Sequence, residues 1–278
     1  MSDSTGMDAA GGWIDALHAR HAASLTTREL ARACRALSAR YVEERGTLTE
    51  RTPLDSAGKR AAFAVYYAPL HFLTTREIVR ALGARRDALD VVVDLGCGTG
   101  AASAAWALEL DQPPRLDGQD TTGWAVDEAA WTWRYFRLAG RARRVDLVAA
   151  AERLLDRPGR RTVAGTGLLA AWSVNELADA AQRRLRTALL ELGARGASVL
   201  VVEPIARAVA PWWPAWAEQV AAAGGRADEW KFTVSLPGRL AELGEAAGFR
   251  QAQLSARSLW LSPSMRDRRP RHPGGVYH

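Results

Sequence analysis

The chain is poor in several things that would have simplified its reading. It has two cysteines in 278 residues, Cys34 and Cys97, at no paired spacing. That argues against a disulfide framework and against a cysteine-built zinc site, and it predicts a reducing, cytoplasmic setting with no metal. No run approaches the ~18 consecutive apolar residues of a membrane span. The opening MSDSTGMDAAGG is small and polar and lacks the charged-then-apolar pattern of an export signal. No internal repeat recurs at a fixed period. Lysine is nearly absent, so the net charge of +6 rests almost wholly on arginine scattered along helical stretches. This is the pattern of a solvated basic surface, with an RNA partner as the alternative. The one dense cluster, Arg266-Asp267-Arg268-Arg269-Pro270-Arg271, reads as a flexible basic tail over 264–278 that could touch phosphate.

What is present is an ordinary globular composition, 48% hydrophobic and 24% charged, in a chain long enough for a substantial core. Apolar residues recur at three and four positions over 13–23, 26–44 and 59–82, which predicts helices, with Pro69 kinking or restarting the third. Residues 1–85 thus read as a helical N-terminal cap. From Asp90 onward, β-branched runs alternate with helical patterns, which predicts an α/β fold with a doubly wound, mostly parallel sheet of about seven strands. Strands are expected at 91–95, 115–119, 145–149, 162–172 and 197–203, then a final hairpin from 251–255 and 258–261, which leaves the last strand open to antiparallel pairing. Helices are expected at 101–110, 125–138, 176–192 and 236–248. The body would span 86–263 with an insertion at 205–235.

The most informative stretch is Val91-Val92-Val93-Asp94-Leu95-Gly96-Cys97-Gly98-Thr99-Gly100. Glycines at alternate positions after a buried strand let backbone approach a ligand, and the helix that follows offers unpaired N–H groups. Gly96-x-Gly98-x-x-Ala101, with Asp120 where a ribose-binding acid would stand, also satisfies the dinucleotide pattern, so the glycines alone leave a nicotinamide oxidoreductase open. Asp94 tips the choice. A carboxylate two residues before the first glycine would repel a pyrophosphate and suits the ammonium of an amino-acid-like ligand.

Taken whole, D-L-G-C-G-T-G resembles the first motif of class I S-adenosyl-L-methionine (SAM)-dependent methyltransferases, and the order of elements over 85–262 is similar to theirs. The resemblance implies a Rossmann-like domain with SAM as cofactor. It implies that Asp94, Gly96, Cys97, Gly98 and Gly100 border the methionine moiety and that Asp120, with Thr121 beside it, grips the ribose, whose two hydroxyls suit the two oxygens of a carboxylate. It places Ala150, Ala151 and Glu152 at the adenine, although Glu152 is equally a solvated helix residue. It turns Trp172 and Ser173 toward the methyl group and acceptor.

The Asn/Asp-Pro-Pro-Tyr/Phe signature of many amine-methylating relatives is missing. Ser173-Val174-Asn175-Glu176 stands there instead, which weakens methylation of adenine or glutamine amino groups. Asn175 and Glu176 could orient an acceptor, or Asn175 could cap a helix. His71 is the best base candidate, since the other histidines lie near the termini; the alternative is a packed helical histidine. Tyr66 and Tyr67 either contact ligand or bury their rings. The chain has 11 tryptophans, and Trp212, Trp213 and Trp230 fall in the 205–235 insertion, where they either wall an acceptor or cover the sheet. Trp172-Ser173-Val174-Asn175-Glu176-Leu177 with Glu203-Pro204 is also similar to the methyltransferase-like family of small-subunit ribosome assembly, whose metal-binding cysteines this chain lacks. The expected function is methyl transfer to a small molecule, with an RNA-binding or ribosome-assembly factor as the second reading and the oligomeric state left open.

Overall fold

The computed structural model describes residues 3–43, 54, 56–156, 163–206, 210–249 and 253–266. The arginine cluster at 266–271 lies outside them except for the backbone of residue 266, as does the start of the expected 251–255 strand.

Helices α1 (Asp3–His21), α2 (Thr27–Glu43) and α3 (Ala57–Ala62) open the chain. A π-helical turn, Phe63–Tyr67, joins α3 to α4 (Ala68–Leu82). Here the Ala68 N–H donates to the Phe63 carbonyl, five residues back. Pro69 in the first turn of α4 has no N–H to give, and the widened turn restarts the helix around it. Five parallel strands alternate with helices: β1 (Val91–Leu95), α5 (Ala101–Leu108), β2 (Arg115–Asp120), α6 (Gly123–Tyr135), β3 (Gly140–Arg144), α7 (Leu147–Leu155), β4 (Thr166–Ala171), α8 (Asp179–Ala194) and β5 (Ser198–Glu203). Then come α9 (Trp213–Ala222), β6 (Arg226–Phe232), α10 (Gly238–Ala246), β7 (Leu254–Leu261) and the single turn α11 (Pro263–Arg266).

The sheet order is β3-β2-β1-β4-β5-β7-β6, with β7 antiparallel to both neighbours. Alternate residues of the central strands feed two cores. Val92, Leu169 and Leu200 face one layer with Trp106 and Trp133, while Val93, Leu168 and Val199 face the other with Leu185 and Trp216. Burial on both faces is why these strands read as unbroken apolar runs.

Two expectations need correction. Residues 145–149 are not the third strand: Asp146 caps α7 by accepting from the Ala149 N–H at 2.9 Å, and the strand is the arginine-rich 140–144, an edge strand with polar surroundings. The stretch expected as an insertion, 205–235, carries α9 and β6, which lie on the sheet's flank and edge. The final hairpin is therefore β6 with β7, and 254–261 is one continuous strand. Helix α4, expected as the end of the cap, packs against α5 and β7, so the first core runs without interruption from α1 to the sheet.

One buried carboxylate fastens α1 to the body. Glu128 of α6 accepts from Arg20 Nε at 3.0 Å and Nη2 at 2.9 Å, and its Oε2 lies 2.9 Å from His21 Nε2. Burial raises the Glu128 pKa, but the hydrogen bonds from His21 and Arg20 outweigh it and leave the pKa below 4.5. The stability it contributes is present above the ordinary glutamate value and is lost as pH falls through the lower, folded one. Glu128→Ala is expected to cost about 1–3 kcal/mol at pH 7. Denaturant unfolding should show the deficit shrinking below pH 4; a deficit independent of pH would remove the charge from the account.

Candidate active site

The parallel strands end along one side of a cavity of about 490 Å³, and the π-turn and the start of α4 form the facing wall. Its floor is the β1–α5 loop. Gly96, Gly98 and Gly100 all have positive φ (81°, 49° and 71°), a region where side chains are strained. Space forbids a side chain as well at two of the three: a Cβ on Gly96 would stand 2.5 Å from the Ser173 Cβ, and one on Gly100 2.6 Å from Trp133 Nε1. At Gly98 a Cβ would make ordinary van der Waals contact with the Phe63 ring, 3.9 Å away, so only the backbone conformation asks for glycine there. The loop's own groups are tied to β2 and α6. Gly96 and Cys97 N–H donate to the Gln119 carbonyl (2.8 and 2.9 Å), Gly98 N–H donates to Asp120 Oδ2 (3.0 Å), and Trp133 Nε1–H donates to the Gly100 carbonyl (3.0 Å).

Asp120 is thus a clamp as well as a lining group. Its Oδ1 accepts from the Thr122 N–H (2.9 Å) and hydroxyl (3.0 Å), while Oδ2 keeps a lone pair beyond its bond to Gly98. Asp94 is 1% exposed, and its Oδ2 has no hydrogen-bond partner among the described residues. Burial raises its pKa from 3.8 to about 7 against the opposing hydrogen bonds of Ser103, and the nearby Asp120 charge adds to the rise. Burial, with Asp94 and Asp120 beside it, also pushes the Cys97 thiol well up, so it is an inert thiol packed against Gly118.

At the other end, Trp172 holds φ 55°, an unusual conformation for a bulky residue. Its ring lies 3.8 Å from that of His71 with the planes 6° apart. Phe63 meets His71 edge-on at 5.8 Å and stacks loosely on Tyr67 at 6.3 Å. Burial lowers the His71 pKa from 6.5 to about 3, so the imidazole is neutral at physiological pH and a weak proton acceptor. The turn after β4 is fixed by Glu203, a fully buried carboxylate ending β5. It accepts from the Val174 N–H at 2.9 Å and from Asn175 Nδ2, while Trp212 Nε1–H donates to Asn175 Oδ1 at 3.0 Å.

Of the residues singled out in the sequence, Tyr67, His71, Asp94, Gly96, Cys97, Gly98, Asp120, Thr121, Trp172, Ser173, Asn175 and Glu176 converge on this cavity. Gly100 supports the loop from behind. Others are elsewhere. Tyr66 is buried against Gly244 and Phe249, and Trp213 lies in the second core. Trp230 donates to the Ser258 hydroxyl on the sheet edge, and Trp212 reaches the cavity only through Asn175. Ala151 is buried in α7, and Glu152 pairs with Arg184 on the surface, so neither frames the cavity; Asp146 and Leu147 do, because β3 ends at 144. Sequence reading missed Phe63, Thr122, Asp146, Leu147 and Glu203. Phe63 was legible in its 63, 67, 71 spacing with Tyr67 and His71, and Asp146 as a helix cap before an apolar run.

The strand order, the antiparallel seventh strand and a glycine loop at the C-terminal edge of β1 make this an α/β, Rossmann-like methyltransferase fold. Compared by sequence, the chain matches no protein-family model and no curated protein. Among solved structures it is similar to an O-methyltransferase family protein from Burkholderia thailandensis (14% identity, TM-score 0.48, covering 81% of this chain and 62% of that one). It is also similar to the N-methyltransferase NodS from Bradyrhizobium japonicum bound to S-adenosyl-L-homocysteine (12%, 0.42, 83% and 98%) and to a precorrin 8W decarboxylase from Methanobacterium thermoautotrophicum (16%, 0.41, 67% and 88%). Likenesses this distant bring no substrate and no residue role to this chain.

The raised pKa of Asp94 carries a stability consequence. Its contribution to folding is fully present below pH 3.8 and is lost as pH rises through about 7. Asp94→Asn is therefore expected to stabilise the ligand-free protein at pH 8, by on the order of 2–4 kcal/mol, and much less at pH 5. Thermal unfolding at the two pH values measures this, and a variant less stable than the parent at pH 8 would contradict the assigned cost.

Proposed function

We propose that the chain is a SAM-dependent methyltransferase acting on a small molecule. The observation that carries this reading is Asp94, a buried carboxylate with an unpartnered oxygen at the end of a glycine cradle. Such an atom is costly unless a ligand supplies its partner, and the ammonium of a methionine moiety is a partner of the right charge. The residues present fit the cofactor. Asp94 would hold its ammonium, the backbone at Gly98 its methionine part, Asp120 its ribose, and Asp146 and Leu147 its adenine end. When bound, SAM supplies a methyl group already activated on a sulfonium.

The protein's part is then positioning and exclusion of water. The Trp172–His71 pair and Phe63 wall the acceptor side. Glu203 fixes the turn that presents Ser173 and Asn175. His71 serves as a hydrogen-bonding wall and not as the proton acceptor, because a group with a pKa near 3 holds a proton poorly at neutral pH. On the β3 edge the exposed Arg143 donates twice to the buried Asp117 at 2.9 Å, with the exposed Arg141 3.6 Å from it.

Calorimetry with S-adenosylhomocysteine tests the reading. Binding should be flat above pH 7 and weaken toward tenfold per unit below it, as Asp94 must lose its proton to meet the ammonium. Asp120→Ala should weaken it by about 1.5–3 kcal/mol. Affinity for a nicotinamide dinucleotide with none for the SAM product would overturn the assignment.

A further inference from the structure

The cavity and the rest of the protein carry opposite charge. The chain is net +6 with 37 arginines and lysines, yet no arginine or lysine is among the described residues that line the cavity, whereas five carboxylates are: Asp94, Asp120, Asp146, Glu176 and Glu203. Arg144 donates to the Thr121 carbonyl at 3.3 Å without forming part of the wall. The acceptor end is aromatic, built from Phe63, Tyr67 and the stacked Trp172 and His71, with Glu176 exposed beside it. The buried oxygen of Asp94, without a partner among the described residues, is the one assigned above to the cofactor's ammonium, which leaves Glu176 and Glu203 as the carboxylates of the acceptor end.

From this juxtaposition we propose that the acceptor is an amine that enters as its ammonium, and that anionic acceptors are excluded. This rests on the methyltransferase reading and names its substrate class. An ammonium is drawn in by the carboxylates and is received by aromatic faces, whose quadrupoles attract cations. A carboxylate or phosphate would lose its water and find no arginine or lysine to pair with among the described residues of the wall. The missing Asn/Asp-Pro-Pro-Tyr/Phe signature agrees with an aliphatic nitrogen. An amide or ring amino group has a delocalised lone pair, whereas an aliphatic amine needs only to lose a proton. That proton passes to water at the mouth beside Glu176. The nitrogen lone pair then forms a bond to the methyl carbon as the carbon–sulfur bond breaks with its pair remaining on sulfur, and the methylated ammonium gives up its extra proton to solvent.

Three probes of matched shape test this: phenethylamine, phenethyl alcohol and 3-phenylpropanoate, titrated by calorimetry into the full chain saturated with S-adenosylhomocysteine. The amine is expected to bind at least tenfold more tightly than the acid, with the alcohol between them. The preference should shrink with added salt. Glu176→Gln should weaken the amine by threefold or more and narrow the gap to the alcohol, and Phe63→Leu should weaken the amine more than the alcohol. The S-adenosylhomocysteine titration of each variant reports that its fold is intact. Binding of the acid as tight as the amine, or of none of the three, overturns the proposal. If S-adenosylhomocysteine itself fails to bind, the methyltransferase reading falls, and the same three titrations on the ligand-free protein decide the charge preference by itself.

Discussion

A turn in which three residues take positive φ survives only if its backbone groups are held from outside, and here the holding is done by the end of the neighbouring strand. The Gln119 carbonyl takes two N–H groups of the loop and the Asp120 carboxylate a third, while Trp133 reaches over from α6 to the Gly100 carbonyl. These bonds make the parallel register of β1 and β2 and the shape of the binding floor one and the same constraint. Slipping β2 by one residue would move Asp120 to the other face of the sheet, leave the Gly98 N–H without its acceptor and withdraw the group proposed to meet the ribose. Scaffold and site therefore fail together or not at all at this edge.

The sequence was most legible where the chain is buried on both sides. β1 and β5, almost wholly buried and mostly apolar apart from Asp94, Ser198 and Glu203, were read within a residue of their observed positions, as was the glycine loop, because close packing leaves little choice of residue there. Legibility falls off toward the edges. β3 reads Gly-Arg-Ala-Arg-Arg and β6 reads Arg-Ala-Asp-Glu-Trp-Lys-Phe; edge strands need only one face or neither to be apolar, and charges there discourage pairing with other chains. The apolar run 145–149 beside β3 attracted the strand assignment, although its residues lie on a helix capped by Asp146. That one misplacement also moved the expected stretch of cavity wall from Asp146 and Leu147 to Ala150, Ala151 and Glu152.

The tryptophans divide in a similar way. Trp106, Trp133 and Trp13 are wholly buried in the first core, and Trp213 and Trp216 in the second, so most of the unusual aromatic content builds the scaffold. Trp172 is different in kind. It stands just past the end of β4 in a conformation that a bulky side chain adopts at a cost, and stacking on His71 is what it gains there. No local pattern announces such a residue, because the strain is resolved only by partners from a helix a hundred residues earlier. Glu203 was hidden for a related reason: an acid at the end of an apolar strand looks like the beginning of a loop until its acceptor duties toward Val174 and Asn175 are seen.

The π-turn at Phe63–Tyr67 gives the wall of the cavity an unusual adjustability. Such a turn amounts to one residue more than an α-helix would hold, and removing one residue turns everything on one side of it by about 100° relative to the other. Deleting a single residue there would leave α4 and His71 docked on the sheet while swinging α3 and the aromatic ring of position 63 around the helix axis and away from the ligand. A lineage carrying this fold can thus re-aim this wall in one discrete step without touching the glycine floor, so wall and floor are free to evolve at different rates.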